Sequence, residues 1–336
     1  MKVLVIIDRD LFKGSTQYRL AQFTDLFNAH GISLEFIRRN KVAAAARRAG
    51  ECDLLLNQKC LIRAGLARRL IASSRRTWFD FDDAIYTRPG RPYGPWTSWR
   101  VKRRLQTWLR HADLVTTANK VLAGYARRFA RSVTIVPMAI DTGRWHPVPK
   151  PSDAPVTLGW IGAPVNVPQL ERLNAPLRAL LRDHPNARLR VFSGRRPVLT
   201  CPFDYTPYQP GAEAAFVQQL DIGLLPLEPD EFSFGKSPIK TLQYLACGVP
   251  VVGNIFGATA EILSETNSVA VRTEADWIEA LTALIGDRPR LRRLGAAGRA
   301  FIEQRHDCRR VGAQLLGLLH DREPLPAPLE TGTASW

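Results

Sequence analysis

The feature that most constrains this chain is a strand–helix alternation that runs once, stops, and starts again. In the first half the short β-rich runs are "VLVIID" (3–8), "LEFIR" (34–38), "DLLLNQ" (53–58), "TWFDFDD" (77–83), "DLVTTAN" (113–119) and "VTIVPMAI" (133–140). Between them lie helical patterns such as "YRLAQFTDLFNAHG", with Leu20, Phe23 and Phe27 on one face and Gly31 at the stop position. Then "HPVPKPSDAP" (146–155) places four prolines in ten residues, which denies the backbone donors and helical freedom. The alternation resumes with "VTLGWIG" (156–162), "ARLRVFSG" (187–194), "DIGLLPL" (221–227), "VPVVGN" (249–254) and "SVAVRT" (268–273). Helical stretches are expected at 167–183, 211–220, 275–285, 289–304 and 307–320. Largely apolar strands alternating with helices specify parallel sheets covered on both faces. The expected fold class is α/β, with two tandem Rossmann-like doubly wound domains and a cleft between them. Expected boundaries are 1–148 for the first domain, 149–155 for a linker and 156–305 for the second domain. A closing helix at 306–322 and a Pro-rich, disordered tail at 323–336 complete the chain.

Composition narrows the classes. No run approaches the roughly 20 apolar residues of a membrane span, and "MKVLVIIDRD" reads as a first core strand rather than a signal peptide. The five cysteines are scattered and contain no C-x-x-C pair, so a disulfide framework or zinc site is not expected and a reducing cytoplasm is the simplest compartment. The formal charge of +16 is uneven: residues 1–150 carry 28 Lys and Arg against 11 Asp and Glu, a balance of +17, and the remainder is close to neutral. An anionic partner for the basic half and simple solvated helix faces are both open on this ground.

The richest stretch is "FGKSPIKTLQYLACGVPVV" (234–252). Ser237 suits an N-cap, Pro238 a first helical position and Gly248 a helix exit. Ile239, Leu242 and Leu245/Ala246 form a buried stripe, and "VPVV" returns as a strand. A helix N-terminus offers unpaired N–H groups and a positive dipole end to a phosphate. Lys236 precedes this helix and Lys240 lies one turn inside it, so both ammonium groups can reach a diphosphate, and Gly235 allows close backbone approach. Two solvated lysines at an ordinary helix start remain the plain alternative.

The same stretch resembles the donor motif of GT-B-fold retaining glycosyltransferases of the family 4 type, in the subset that reads "GKSP-K-LEYMA-G-PVV". "WIGAPVNVPQLERL" (160–173) is similar to the glycine loop that opens the family's second domain, and "ADLVTTANKVLAGYAR" with "VTIVPMAIDTGRWHP" to the end of its first. The resemblance implies two Rossmann-like domains and metal-independent transfer of a sugar from a nucleotide donor, with configuration retained. No cofactor is implied, since the nucleotide-sugar is a substrate and the leaving diphosphate is stabilised by dipole and basic side chains. It places the donor against Gly14, Ser15, Gly162, Ala163, Gly235, Lys236, Ser237, Pro238, Lys240 and Gln243, with Lys236 aiding departure. Arg19, Asp80 and Asn119 fall on the acceptor side. Two departures stand out: the family's E-x7-E glutamates fall on Gly235 and Gln243, and "GAPVNVP" carries no basic residue where an Arg/Lys pair is usual, leaving Lys236 or Arg195/Arg196 to substitute.

"WFDFDDAIY" (78–86) sets Asp80, Asp82 and Asp83 at the exit of an apolar strand. Alternation places Asp80 and Asp82 on one side, where a cation, a proton or a hydroxyl-rich ligand must relieve repulsion. Metal binding, recognition or activation of acceptor hydroxyls by Asp82 or Asp83, and local capping are the three readings; no metal site is expected. Many family members keep a functional histidine near this position, and none of the six histidines here does so, which favours Asp82 or Asp83 as its substitute. "WTSWRVKRRLQTWLRHA" (96–112) has core spacing at Val101, Leu105, Trp108 and Leu109, with Trp96, Trp99 and four basic residues around it. An ordinary covering helix and a contact with an anionic membrane surface both fit.

The expected function is a glycosyltransferase, with a glycan or lipid-linked acceptor, in the cytoplasm or peripheral to the inner face of the cell membrane. The alternative is a non-catalytic nucleotide-sugar-binding protein on the same fold, because of Gly235 and Gln243. Nucleic-acid binding rests on charge alone, without a helix-turn-helix, finger or aromatic RNA-binding signature. A sugar-nucleotide epimerase on this fold is a further reading.

Overall fold

The computed structural model describes residues 1–8, 14–151 and 153–320. Its compact units are Met1–Pro137 together with the chain from Val311 onward, and Met138–Arg310.

The first unit is built on six parallel strands: β1 (Lys2–Ile7), β2 (Ser33–Arg38), β3 (Leu54–Gln58), β4 (Thr77–Phe81), β5 (Leu114–Thr117) and β6 (Val133–Ile135). Their order across the sheet is β2-β1-β3-β4-β5-β6. Every residue of β3, β4 and β5 is buried, as a sheet covered on both faces requires. The helix Pro95–His111 lies against this sheet, Trp108 stacking on Phe79 with ring centroids 5.7 Å apart. The continuous first helix suggested by periodicity is instead three pieces, Ser15–Arg19, a 3-10 turn Ala21–Phe23, and Thr24–Ala29. Leu20 leaves the helical region at φ −137°, and Leu20, Phe23 and Phe27 are all buried, as their shared face predicted. Gly31 ends the segment at φ +70°, as expected.

The second unit carries β7 (Val156–Gly162), β8 (Ala187–Ser193), β9 (Asp204–Pro207), β10 (Ile222–Leu225), β11 (Val251–Gly253) and β12 (Ser268–Ala270), in the order β12-β11-β10-β7-β8-β9. This is the doubly wound order in which the chain reverses beside its first strand, here between β7 and β10. All eleven expected strands are present; β9 was not expected, because "DYTP" is short, polar and half-exposed. The helix expected over 167–183 divides into Val167–Glu171 and Asn174–Asp183. Pro176 explains the division: it donates no amide and its ring excludes a helical carbonyl at Arg172. The core joins Leu158, Trp160, Val191 and Leu224 from the sheet to Leu177, Trp277, Leu281 and Leu291 from the helices.

The Pro-rich stretch is not where the units divide. Residues from Met138 belong with the second unit: His306 Nδ1 lies 2.8 Å from Met138 O, Ile140 bridges Asp307, and Arg299 donates to the Thr142 and Trp145 carbonyls. The strand expected over 133–140 therefore stops at Ile135. Conversely, the last helix, Cys308–His320, sends Val311, Leu315, Leu318 and Leu319 into the first unit, where Arg76 donates to the Leu318 carbonyl (3.1 Å) and Gln314 to that of Ile135 (2.9 Å). The expected tail, 323–336, and the last two residues of the expected closing helix lie outside the described residues. Among the described residues no helix is long and apolar enough to cross a membrane.

Helix Ile239–Ala246 ends as its glycine predicted. Gly248 adopts φ +69°, its N–H reaches Leu245 O (2.9 Å) and that of Val249 reaches Tyr244 O (3.0 Å), a Schellman closure. At this closure the helix Arg288–Arg305 comes so close that a Cβ on Gly295 would fall on the Gly248 carbonyl. Gly295→Ala should therefore destabilise the fold by about 1–3 kcal/mol, the usual cost of overpacking. Urea unfolding checks this, an unchanged midpoint being the contrary result.

Candidate functional site

Open α/β sheets present ligands at the carboxyl ends of strands where the winding direction reverses. In the second unit that point lies between the β7 exit, Gly162 and Ala163, and the β10 exit, which leads to Lys236–Lys240. Gly162 is required by packing: a Cβ there would strike the Trp160 indole. After β10 the chain makes a short helix, Glu231–Gly235, capped by the Asp230 carboxylate, which accepts from the Ser233 amide (2.7 Å). Helix Ile239–Ala246 follows after Lys236, Ser237 and Pro238.

The start of that helix differs from the sequence expectation. Pro238, with ψ 66°, is itself the N-cap, so Ser237 does not cap the helix and Pro238 is not its first helical residue. The amide of Ile239 turns back to Ser237 O (3.0 Å) and that of Thr241 to Pro238 O (2.9 Å), so these two groups are already engaged. The positive character of the turn therefore rests chiefly on its side chains. Burial pushes the Lys240 ammonium down to about 8; Glu213 opposes that shift and Lys236 adds to it. Glu213 itself stands 3.8 Å from Arg144, so its charge is shared. Sequence reasoning missed Glu213, which opens the helix Glu213–Val217 and meets Lys240 only through the fold.

Beneath this turn the helix is buried on every side from Thr241 to Ala246, rather than along one stripe. Tyr244 lies flat over Gly223 of β10, whose missing Cβ would sit 2.6 Å from the ring. Its hydroxyl accepts the Ile161 amide (3.0 Å) and donates to Gly159 O (3.4 Å), both on β7. Gln243 is only 2 % exposed. Arg195 and Arg196 are turned to other tasks, Arg195 toward Glu171 (3.5 Å) and Arg196 over the Phe203 and Tyr205 rings. Beyond β7, β8 and β9 the exposed apolar side chains are Val165, Val198 and Tyr208. Gly194 lets two of these strand ends meet, since a Cβ there would lie 3.1 Å from Pro164 and 4.0 Å from Tyr208.

In the first unit the reversal lies between β1 and β3. Gly14 (φ 60°, ψ −141°) precedes the helix Ser15–Arg19 in a conformation that only glycine enters readily. Thr16 donates to Gln58 Oε1 (2.6 Å), and Gln58 Nε2 donates more weakly to Ser15 Oγ (3.5 Å), fixing this loop to the end of β3. Arg19 and Asp80 do not present themselves to an acceptor. Arg19 is 4 % exposed, and its guanidinium donates to both Asp80 oxygens and to the carbonyls of Val136 and Pro137. Asp80 also accepts from Thr116 (2.6 Å), whose hydroxyl accepts from Trp78 Nε1 (2.6 Å). The pair ties the first helix to β4 and the chain leaving β6. Asn119, likewise expected on the acceptor side, caps helix Lys120–Arg127 by accepting from the Leu122 amide (2.9 Å).

The carboxylate repulsion foreseen at the β4 exit is met by the chain's own cations. Lys59 Nζ lies 3.0 Å from Asp82 and 2.9 Å from Asp83, and Arg19 holds Asp80. Lys59 is the single non-glycine residue with positive φ (47°) among the described residues, a strained geometry of the kind that collects at working sites. Burial disfavours its charge, but Asp82 and Asp83 outweigh that and hold it above its ordinary value. Burial also raises the Asp82 carboxyl to about 6, against the pull of Lys59. Lys59 was missed because nothing in "NQKC" marks a strained turn. Carboxyl NMR should show Asp82 titrating near pH 6. Lys59→Met, which removes the charge that lowers this value, should move the midpoint upward; a midpoint near 4 in both proteins is the contrary result.

Known proteins bear on both units. Residues 173–317 match the family model described as glycosyl transferase-like. Anabaena Alr3699/HepE, solved with UDP and glucose, is 15 % identical with TM-score 0.72, over 95 % of this chain and 99 % of that one. Sucrose-phosphate synthase from Thermosynechococcus elongatus is 14 % identical with TM-score 0.73, over 95 % and 98 %. An alpha-glucosyltransferase in complex with UDP-glucose and DNA containing an abasic site is 12 % identical with TM-score 0.63, over 96 % and 100 %. No curated protein sequence matches significantly. Residues 173–317 thus match the glycosyl transferase-like family, within a chain that has the GT-B glycosyltransferase fold of two Rossmann-like units.

Proposed function

We propose that this protein transfers a sugar from a nucleotide-sugar donor to a glycan or lipid-linked acceptor, with retention of configuration and without a metal, as in family 4 glycosyltransferases. The observation that carries this reading is Lys240, a desolvated ammonium beside Lys236 at the winding reversal of the second unit. Two like charges in such a place favour an anionic ligand, and a diphosphate matches them in number. In this reading Lys236 and Lys240 bind the diphosphate and stabilise it as it departs, with Gly162, Ala163, Gly235, Ser237 and Pro238 shaping the loops around it. The planar base lies toward Tyr208 and Val198, the exposed apolar groups at the neighbouring strand ends. On the first unit the donor contacts proposed are Gly14 and Ser15, and the groups proposed for the acceptor hydroxyl are Asp82 and Asp83. A carboxyl titrating near 6 can exchange a proton with that hydroxyl close to neutral pH. The five cysteines are free thiols, which fits a cytoplasmic site of action. Bound UDP and UDP-glucose in the structural neighbours support the donor class.

A second reading, a donor-binding protein without transferase activity, is favoured by one observation. The family glutamates are Gly235 and Gln243 here, and Gln243 is deeply buried. Calorimetry with UDP-, GDP- and ADP-sugars, followed by assay of donor hydrolysis and transfer, separates the two; no binding to any donor overturns both.

Lys236→Ala should weaken donor binding by about 1.5–3 kcal/mol, the range for charge-assisted hydrogen bonds; unchanged affinity counts against this assignment. For Lys240 the sign follows from its depressed value. The ammonium binds the diphosphate, so affinity should fall as pH rises through about 8, with a proton taken up on binding there. Lys240→Arg, charged throughout, should flatten the profile. Affinity independent of pH in the unmodified protein would sink the role of Lys240.

A further inference from the structure

We propose that the outward face of helix Pro95–His111 is a docking surface for an anionic lipid bilayer. The helix has two unlike sides. Leu105, Trp108 and Leu109 are buried on the opposite side, with Trp108 stacked on Phe79 of the sheet. Trp96, Trp99, Arg100, Arg103 and Arg110 are exposed. Their spacing of three, one, three and seven residues places them along one stripe of an α-helix. Trp96 is 80 % and Trp99 53 % exposed, the rings meeting edge to face at 6.4 Å, with the Arg103 guanidinium 5.1 Å above the Trp99 ring.

Two large indoles held in water by a folded helix are costly unless something covers them. The surrounding charge says what does. The helix contains no acidic residue, and from Ala84 to Ser132 eleven Lys and Arg face a single acid, Asp113. That carboxylate is occupied at the start of β4 by the Thr77 amide (2.8 Å) and hydroxyl (2.7 Å). The basic aromatic surface continues past the end of the helix, where Arg110 and Arg128 lie 5.5 and 5.6 Å from the Phe129 ring. A second protein surface would need matching carboxylates, and a nucleic-acid backbone would leave the indoles exposed. A bilayer surface bearing anionic headgroups satisfies both parts at once. Indoles settle at the headgroup level, arginines meet lipid phosphates, and the helix lies in the plane of the interface. This proposal does not depend on sugar transfer by the chain.

Co-sedimentation of the full chain with phosphatidylcholine vesicles, alone and mixed with phosphatidylglycerol, tests it. The expected result is pelleting with the mixed vesicles only, weakened by salt, with a blue shift of tryptophan emission. Trp96→Ser/Trp99→Ser and Arg100→Glu/Arg103→Glu should each reduce binding about tenfold or more. These side chains are exposed, so thermal melting should be unchanged in both variants. Equal pelleting with neutral vesicles, no pelleting, or undiminished binding by both variants overturns the proposal. So does a dimer that the tryptophan variant dissolves, which would assign the face to a second copy, or a preference for duplex DNA over the mixed vesicles.

Discussion

Much of the second unit is set by where one tyrosine lies. Tyr244 crosses Gly223 on β10 and hydrogen-bonds through its hydroxyl to the backbone of β7, so one side chain spans the two strands at which the winding reverses. Its burial and those bonds fix the rotation of helix Ile239–Ala246, and that rotation decides where Lys240 emerges. A buried hydroxyl left unpaired is expensive, so helix and sheet cannot slide past each other without loss of both contacts. The Schellman closure at Gly248 and the close approach of Gly295 hold the far end of the same helix.

The two units treat buried charge differently. In the first, cations and carboxylates neutralise each other within the chain: Arg19 with Asp80, and Lys59 with Asp82 and Asp83. That network ties the strand ends together, while burial raises one of its carboxyls, that of Asp82, to about 6. In the second, burial pushes the Lys240 ammonium down; Glu213 outweighs the repulsion from Lys236 but not the burial. A compensated network suits hydroxyl groups, whereas a cationic excess suits an anion. This contrast underlies the proposal that acceptor chemistry belongs to one unit and donor chemistry to the other.

Local features were legible in the sequence, and features made by distant segments were not. Apolar runs revealed eleven strands because a sheet covered on both faces admits little else there; β9 escaped because an edge strand may be polar. Gly248 could be read as a helix exit because that geometry involves only its neighbours. Ser237 and Pro238 misled because the short helix Glu231–Gly235 reorients the turn before the main helix begins. Arg19 and Asp80 looked like ligands because polar residues beside apolar ones carry no mark of their eventual partners, 61 positions apart. Lys59, Glu213 and Tyr244 were missed for the same reason: each acquires its role from an element far away in the chain.

The return of the last helix to the first unit bears on how the molecule is made. Gly312 packs against Phe23 and Leu26, and Arg76 binds carbonyls at the end of that helix, so the amino-terminal unit is finished by residues translated after the whole second unit. Domains ordinarily mature in the order of their synthesis. Here residues 138–310 have all their parts before the first unit does, and the amino-terminal half keeps an uncovered apolar face until helix Cys308–His320 has been made.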